Sequence, residues 1–568
     1  SLAEIMRLFM PGKSGLKIEV LYAADEAQSG HPLLQLRGCA AIYGCLLEHG
    51  PMGRAELRRA LPEEAAELEA FLQQLQQHGL VRKEYMAKKR ASELYEKYVV
   101  LQAAVDEALL QRFSRRPAQR RLLELLQAED GQSAAALRGQ GISLSVLHAV
   151  EAEGIVAVRQ RRILRDSYED VQAERLRPAL TTEQQAVLEA LVPALEQRTY
   201  RGFLLYGVTG SGKTQVYIET ALRVRQQGRR VIVLVPEIAL TGQLVQSFKA
   251  YFTRDIIVMH SRLSIHERND AIFRIRKGEA GVIIGARSAL FTPVEDVGCI
   301  ILDEEPDMSY KQDESPRYHA RVVAEELARL HGAVLLLGSA TPSMESCYRA
   351  AKKAYAMLQM PHRIGARPLP QVECVDMREE LRLGNRHIIS RPLQALIEQT
   401  VARKEQLILM LNRRGYSTFI MCRACGHVMK CRFCGMPLVY HKSGRLSCHH
   451  CDVTESVPDV CPKCGSRYIK YFGSGTEKLE QELKALVPQA RVVRMDRDTT
   501  TEKFAHSRIL EAFRRGEYDI LLGTQMVAKG HDIPNVTAVG IISADSSLNM
   551  PDFRAAERCF MLITQTAG

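Results

Sequence analysis

One stretch constrains this chain more than any other. An apolar run at 203–208 passes straight into Gly207-Val208-Thr209-Gly210-Ser211-Gly212-Lys213-Thr214, a glycine, four residues, then Gly-Lys-Thr. Glycines here let successive backbone N–H groups turn toward phosphate oxygens, and the helix expected from Lys213 onward presents its positive end to them. Such a loop sits between a buried strand and a helix, so the surrounding chain is expected to be α/β with a mostly parallel sheet. Lys213 is placed to reach the β- and γ-phosphates of a nucleotide, and the Thr214 hydroxyl to sit on Mg²⁺.

Further short apolar runs at 231–235, 281–284, 297–302 and 333–337 continue the series. The run at 297–302 ends in Asp303-Glu304-Glu305-Pro306. Carboxylates at the carboxyl end of a strand lie where open α/β sheets bind ligands. On this reading Asp303 holds Mg²⁺, and Glu304 orients and deprotonates the attacking water. The alternative is an acidic turn after a buried strand. A second α/β series starts at 406–410 and resumes at 490–495, 520–522 and 538–543.

Between these stretches lie four Cys-x-x-Cys pairs: Cys422/Cys425, Cys431/Cys434, Cys448/Cys451 and Cys461/Cys464. Of 14 cysteines, eight are gathered here, in a chain that opens without a secretory signal, so they read as metal ligands and not as disulfides. Eight thiolates suffice for two tetrahedral Cys₄ zinc sites, which are structural because no ligand position stays open. Spacing alone allows several pairings, and iron–sulfur ligation is the rival. His449 and His450 are surplus to the ligand count. The segment 413–470 holds ten basic and three acidic side chains, and Phe433 and Tyr440 offer rings for base stacking. A platform for protein partners is an equal reading of that insert.

Toward the amino terminus the grammar is helical. Leu68, Phe71, Leu72 and Leu75 mark one face of a helix that stops at Gly79 before Leu80-Val81, and the same outline recurs to Gly154 and Ile155-Val156. Helices closing on glycine and a short strand are the outline of a winged-helix unit, against a plain helical linker. Between the two, 81–121 carries eleven basic and five acidic residues, a face that either binds nucleic acid or is simply solvated. The whole chain has 568 residues and a net charge of +11, suggestive of a polyanionic partner. No apolar run reaches the roughly 18 residues of a membrane span, so the expectation is a soluble, cytoplasmic protein. Ser1 and the ending Gln565-Thr566-Ala567-Gly568 read as cut ends.

Taken together, these motifs resemble the superfamily 2 helicases, and among them the bacterial replication-restart family. The resemblance rests on 207–214, Val235-Pro236-Glu237-Ile238-Ala239-Leu240-Thr241, His260-Ser261, Gly285-Ala286-Arg287-Ser288-Ala289-Leu290-Phe291-Thr292-Pro293 and Gly338-Ser339-Ala340-Thr341-Pro342. It continues through Leu411-Asn412-Arg413-Arg414-Gly415, Gly473-Ser474-Gly475-Thr476-Glu477, Asp496-Arg497-Asp498-Thr499-Thr500 and Gly523–Asp532, with the cysteine array between. It implies two RecA-like lobes, the second carrying the zinc insert, preceded by helical and winged-helix modules. The divisions implied are a remnant of an amino-terminal DNA-binding domain with linker at 1–33, modules at 34–118 and 119–177, and a first lobe at 178–355. A linker with the start of the second lobe follows at 356–417, the insert at 418–470 and the rest of the second lobe at 471–568.

By the same resemblance Gln184 lies near the adenine of ATP, while Arg287 and Ser288 grip the DNA backbone. Ser339 and Thr341 link hydrolysis to strand movement, and Lys529 and Asp532 face ATP and DNA from the second lobe. Tyr310 and Tyr318, in the loop after the acidic box, offer base-stacking rings. The sequence departs from the family pattern at Pro306, in place of histidine, and at Pro316, in place of an aromatic. Zinc pairing is implied as nested: Cys422, Cys425, Cys461 and Cys464 on one ion, the inner four on the other. Arginines completing the ATP site are expected beyond Gly568, and a domain binding the 3′ end of a nascent strand before Ser1. The activity implied is ATP-driven 3′–5′ DNA unwinding at stalled or collapsed forks, with ATP, Mg²⁺ and two Zn²⁺. The implied partners are forked and single-stranded DNA, primosome proteins, the replicative helicase loader and single-strand-binding protein, and no membrane. The alternatives are a double-strand translocase without strand separation, a non-catalytic zinc-platform scaffold at forks, and an RNA helicase.

Overall fold

The computed structural model describes residues 16–25, 30–89, 94–165, 178–236, 243–261, 263–366, 368–411, 418–441, 444–471, 476–496, 505–524, 533–550 and 552–567. It divides into two compact units, one of Ser1–Glu169 with Arg262–Lys277, the other of Asp170–Ser261 with Gly278–Gly568.

The first unit contains two helical modules. In the first, β1 (Leu16–Ala24) pairs antiparallel with β2 (Met52–Gly53) and β3 (Val81–Lys89). Against them lie α1 (Arg37–His49), α2 (Arg54–Ala60) and α3 (Leu68–Gln77). The three-and-four spacing of Leu68, Leu72 and Leu75 puts them on one buried face, packed with Ile42, Tyr43 and Leu46 of α1. Gly79 then takes φ 72°, which turns the chain into β3. In the second module β4 (Leu94–Leu101) pairs antiparallel with β5 (Val156–Ile163). Between them in sequence run α4 (Glu107–Arg112), α5 (Pro117–Ala128), α6 (Ala134–Gly139) and α7 (Leu144–Ala152). Ser133 and Ser143 cap α6 and α7. The helix Ile265–Arg276 also belongs to this unit: its buried Asp270 accepts from Arg162 at 2.8 Å, and Arg162 lies over Phe273.

The second unit is built on two parallel sheets. Seven strands in the order β12-β6-β11-β10-β7-β9-β8 form the first. They are β6 (Arg201–Gly207), β7 (Arg230–Leu234), β8 (Ile256–Met259), β9 (Val282–Gly285), β10 (Val297–Leu302), β11 (Val334–Ser339) and β12 (Ala356–Met360). Central strands β10 and β11 are buried along their whole length, so they read in sequence as unbroken apolar runs. The two outer strands escape the sequence reading for a physical reason. β12 alternates exposed and half-buried residues as an edge does, and β8 is only four residues long.

In the second sheet β13 (Gln406–Leu411) lies between β20 (Ile520–Gly523) and β21 (Val536–Ile542), with β19 (Val492–Met495) outside β20. Along β13 the faces alternate. Leu407, Leu409 and Leu411 pack with Ile397, Leu479 and Leu483, while Ile408 and Met410 pack with Phe513 and Leu562. The cysteine-rich segment leaves this sheet after β13 and forms five short antiparallel strands, β14 (Thr418–Cys422), β15 (Val439–Tyr440), β16 (Arg445–Ser447), β17 (Thr454–Ser456) and β18 (Ile469–Tyr471), ordered β17-β16-β15-β14-β18. Two α/β lobes, each on a parallel sheet, with a cysteine-rich insert in the second are thus laid out along the second unit. Among the described residues, no helix is long and apolar enough to cross a membrane.

Candidate active site and metal centres

The carboxyl ends of β6 and β10 bring the phosphate loop and the acidic box together. β6 ends at Gly207, Val208–Gly212 turns, and α8 (Lys213–Gln226) begins at Lys213. The loop is anchored on β12, where Val208 N donates to Met360 O at 3.1 Å. Gly212 sits at φ 83°, and a Cβ there would meet Gln184 Nε2 at 2.2 Å, so the position admits glycine on both counts. Lys213 Nζ donates to Gly207 O at 2.7 Å and Val208 O at 3.3 Å. Gln184 closes a capping box with Thr181, and its Nε2 donates to the carbonyls of Ser211 and Gly212. Its side chain therefore braces the loop from behind. Thr209 and Thr214 are half-buried on the loop and the first turn of α8, and Ser211 is buried.

At the end of β10, Asp303 Oδ1 accepts from the Tyr217 hydroxyl at 2.9 Å. Burial pushes the Asp303 carboxyl up, against the opposing pull of Lys213 and Tyr217. Burial likewise lowers Lys213, opposed by Glu304 and Asp303. Acid and ammonium thus stabilise each other's charge in a site that penalises both. Glu304 adopts φ 48°, unusual outside glycine, which turns its carboxylate out of the strand. There it accepts from Gln565 Nε2 at 2.7 Å, a residue of the second lobe.

The neighbouring residues expected to contact DNA are placed unevenly. Ser288 is exposed, whereas Arg287 is half-buried and donates to the carbonyls of Ser309 and Lys311, bracing the loop after the acidic box. Tyr310 is a correction to the sequence reading. It is fully buried, and its hydroxyl donates to Leu234 O and Asp303 O, so its ring is closed to base stacking. It tethers β7 to the acidic box instead. Tyr318 is half-buried and meets Phe291 edge to face at 5.3 Å. Ser339 and Thr341 are buried at the end of β11, with Ser339 Oγ accepting from Thr341 N at 2.9 Å. Lys529 and Asp532 lie outside the described residues.

Three groups went unnoticed in the sequence. Tyr217 carries no signal beyond helical spacing. Gln565 is one of many glutamines. Glu305 looked like an extra acid, yet it is buried among Arg321, Ser343 and Ser346. Three consecutive carboxylates after a buried strand are too many for one solvent-facing turn, and that is the signal that would have found it.

The cysteines form two separate four-sulfur sets, Cys422, Cys425, Cys461 and Cys464 in one, Cys431, Cys434, Cys448 and Cys451 in the other. Within a set all Sγ atoms lie within 4.8 Å of one another, and Cys422–Cys464, Cys425–Cys461 and Cys434–Cys448 are 3.6, 3.7 and 3.5 Å apart. A tetrahedron of thiolates with a Zn–S bond of about 2.3 Å has sulfurs about 3.8 Å apart, so the donor sets fit zinc. Each pair is held by the same turn. Gly426, Gly435 and Gly465 occupy left-handed φ and donate their N–H to the carbonyls of Cys422, Cys431 and Cys461. Asp452 does the same for Cys448, at φ 54°. His449 and His450 are exposed and outside both sets. Arg423, inside the first knuckle, is buried and donates to the carbonyls of Asn385, Arg386 and His387, which ties the insert to the segment preceding β13.

Comparison with known proteins matches this layout. Residues 181–350 match the DEAD/DEAH box helicase family, 465–559 the helicase conserved C-terminal domain, and 431–455 the PriA DNA helicase Cys-rich region. The replication restart protein PriA of Bacillus subtilis is 48% identical over 75% of this chain and 53% of its own length. That of Synechocystis is 43% identical over 79% of this chain and 55% of its own. That of Haemophilus influenzae is 41% identical over 68% of this chain and 53% of its own. This chain thus spans about half the length of the curated relatives it matches. Identity at this level over two thirds or more of the chain, with a cysteine-rich region matched by a PriA family model, means that the chain belongs to the PriA family of superfamily 2 helicases.

Proposed function

We propose that this chain is the ATP-driven motor of a cytoplasmic replication-restart helicase. It moves 3′ to 5′ on DNA, unwinds the arms of stalled or collapsed forks, and prepares them for loading of the replicative helicase. Primosome proteins, the helicase loader and single-strand-binding protein are its proposed partners. The observation that carries the reading is the convergence of Lys213, Asp303 and Glu304 at two strand ends of one sheet, with Gln565 reaching Glu304 from the second lobe.

In this mechanism the backbone N–H groups of 207–212 and the amino end of α8 bind the phosphates, and Lys213 leaves the loop carbonyls for the β- and γ-phosphates. Thr214 and Asp303 would hold Mg²⁺, which supplies charge neutralisation on the phosphate oxygens when bound. Glu304 orients the attacking water and takes its proton. Gln184 keeps the loop in shape beside the adenine. Ser339 and Thr341 sense the change at the acidic box. Ser288, Tyr318 and Arg287 line the DNA path of the first lobe, Arg287 through the loop it braces. Lys529 and Asp532 act from the second lobe. The two four-sulfur sets would each hold one Zn²⁺, which would keep the insert rigid, and its exposed Phe433 provides a stacking face toward DNA or a partner.

The test is ATP hydrolysis with and without forked DNA, beside Lys213→Ala. We expect DNA-stimulated turnover in the parent chain and a loss of about 100-fold or more in the variant, the scale of removing one transition-state charge contact. Strand separation on a labelled fork distinguishes unwinding from translocation on duplex. Silence in both assays with intact nucleotide binding would favour a scaffold.

A further inference from the structure

The amino end of one short helix is held by carboxylates from both lobes. That helix, α10 (Met344–Ala351), follows β11 and the Ser339-Ala340-Thr341 segment and is capped by Ser343, whose Oγ accepts from Ser346 N. It comes after α9 (Ala320–Leu330) in the chain. From the first lobe, Glu305 reaches it through a buried cluster. One carboxylate oxygen accepts from Arg321 Nη1 at 2.6 Å, Ser343 Oγ at 2.7 Å and Ser346 Oγ at 2.6 Å, and the other accepts from Ser343 N at 3.0 Å. Glu305 is 1% exposed and Ser346 0%. Arg321, at the start of α9, also donates to both serine hydroxyls. The charge is therefore paired and its oxygens are satisfied, which is the condition for keeping a carboxylate in the interior. A negative group at a helix amino end is further favoured by the helix dipole.

From the second lobe the same turn is met on its outer side. Met344 N donates to Glu557 Oε1 at 2.9 Å, and Glu345 pairs with Arg554. Glu557 lies in the first turn of α11 (Ala555–Ala567), the helix that carries Gln565 to Glu304. Residues 557 and 565 are eight positions apart, about two helical turns, so both contacts fall near one side of α11. The acidic box thus touches α11 twice, directly through Glu304 and indirectly through Glu305, Ser343 and the first turn of α10.

We propose that Glu305 is a positioning residue and α10 a coupling lever: Glu305 joins the end of β10 to the amino turn of α10, and that turn passes changes at the acidic box to the second lobe through Glu345–Arg554 and Met344–Glu557. This rests on the motor reading above and adds to it which side chains carry motion between the lobes. None of these groups belongs to the phosphate loop or is one of the residues assigned above to Mg²⁺ or the attacking water. The role is mechanical, because α10 cannot shift relative to the acidic box without breaking a buried, charge-assisted cluster.

The experiment compares the parent chain with E305Q, E345R, R554E and the double reversal E345R/R554E. Nucleotide affinity is read with a fluorescent ATP analogue, kcat by DNA-stimulated hydrolysis, and seam order by amide exchange over residues 343–351 and 552–560. Each single reversal should lower kcat by about 10-fold, the size expected for a lost charge-assisted contact, with analogue affinity essentially unchanged. It should also speed amide exchange on both sides of the seam, and the double reversal should restore kcat and exchange together. E305Q should behave like the single reversals; where its thermal unfolding shows that it is misfolded, the exposed seam variants decide. Unchanged kcat and exchange in the single reversals, or no recovery in the double, overturns the lever. A parent chain that does not hydrolyse ATP would overturn the motor reading instead, and the exchange arm would still decide whether the seam is coupled.

Discussion

Tyr217 shows how closely the nucleotide site is packed at the level of single atoms. Its hydroxyl holds Asp303 on one side, and on the other it faces Gly338 of β11, where a Cβ would come within 1.8 Å of the phenol oxygen. Gly338→Ala should therefore destabilise the first lobe by ~1–3 kcal/mol, the usual cost of overpacking a core, and lower ATP turnover as Asp303 loses its donor. Adding Tyr217→Phe removes the nearest clashing atom but leaves the ring Cζ 2.8 Å from the new Cβ, so it should return only part of the lost Tm, without restoring turnover. Thermal melts and steady-state hydrolysis on the two variants check this, and an unshifted Tm for Gly338→Ala would contradict the packing. The placement of Lys213, Asp303 and Glu304 beside strand ends was legible in the sequence, because each follows closely on an apolar run of strand length. Tyr217, Glu305 and Gln565 were not, because each gains its meaning from partners 16 to 261 residues away.

Among the elements, the helix Met377–Arg382 and the helix that follows it, Arg391–Ala402, are joined by one carboxylate. Burial alone would raise Glu380, but hydrogen bonds from Arg391 and Asn385 hold it down at about 2. A carboxyl depressed in the fold stabilises it fully above its ordinary pKa of roughly 4.3, and that contribution is lost as pH falls through about 2. Glu380→Gln should thus be less stable than the parent at pH 6, with the gap closing in acid; urea unfolding at pH 6 and pH 3 reads it. The zinc insert depends on its ions for a different reason. Its core is small, built on Ile420, Met429, Leu438 and Leu446 with two of the cysteines, too little apolar area to order about fifty residues alone. Chelation, or Cys431→Ser, should open 418–471 to protease while the first lobe still binds nucleotide, and metal analysis should return two zinc per chain. Four Cys-x-x-Cys pairs announced metal in the sequence, and the left-handed glycines after three of them close the knuckle turns in the structure. Which pairs share an ion depends on how β14 and β18 bring the outer pairs side by side, and spacing does not encode that.

At the scale of the molecule, the second unit places a helix of one lobe against the acidic box of the other. Gln565→Ala should lower kcat by about 10-fold with nucleotide affinity unchanged, the mark of a contact used after binding, as measured by analogue binding and turnover on the same preparation. An equal loss in affinity would mean that Gln565 serves binding and not the later step. What the sequence determined by itself was whatever is local. Apolar runs of strand length, a glycine-rich turn, the acidic box and the cysteine pairs each demand their conformation from neighbouring residues, so the lobes, the phosphate site and the metal chemistry could be read in chain order. What only the tertiary structure decided was whatever joins distant segments. It buried Tyr310 instead of offering it to a base, used Arg287 to brace a loop, made Glu305 the hub of a buried cluster, and set Glu304 and α10 against α11. The physical reason is that a buried polar group must find its partner through space, and nothing in its own neighbourhood names that partner.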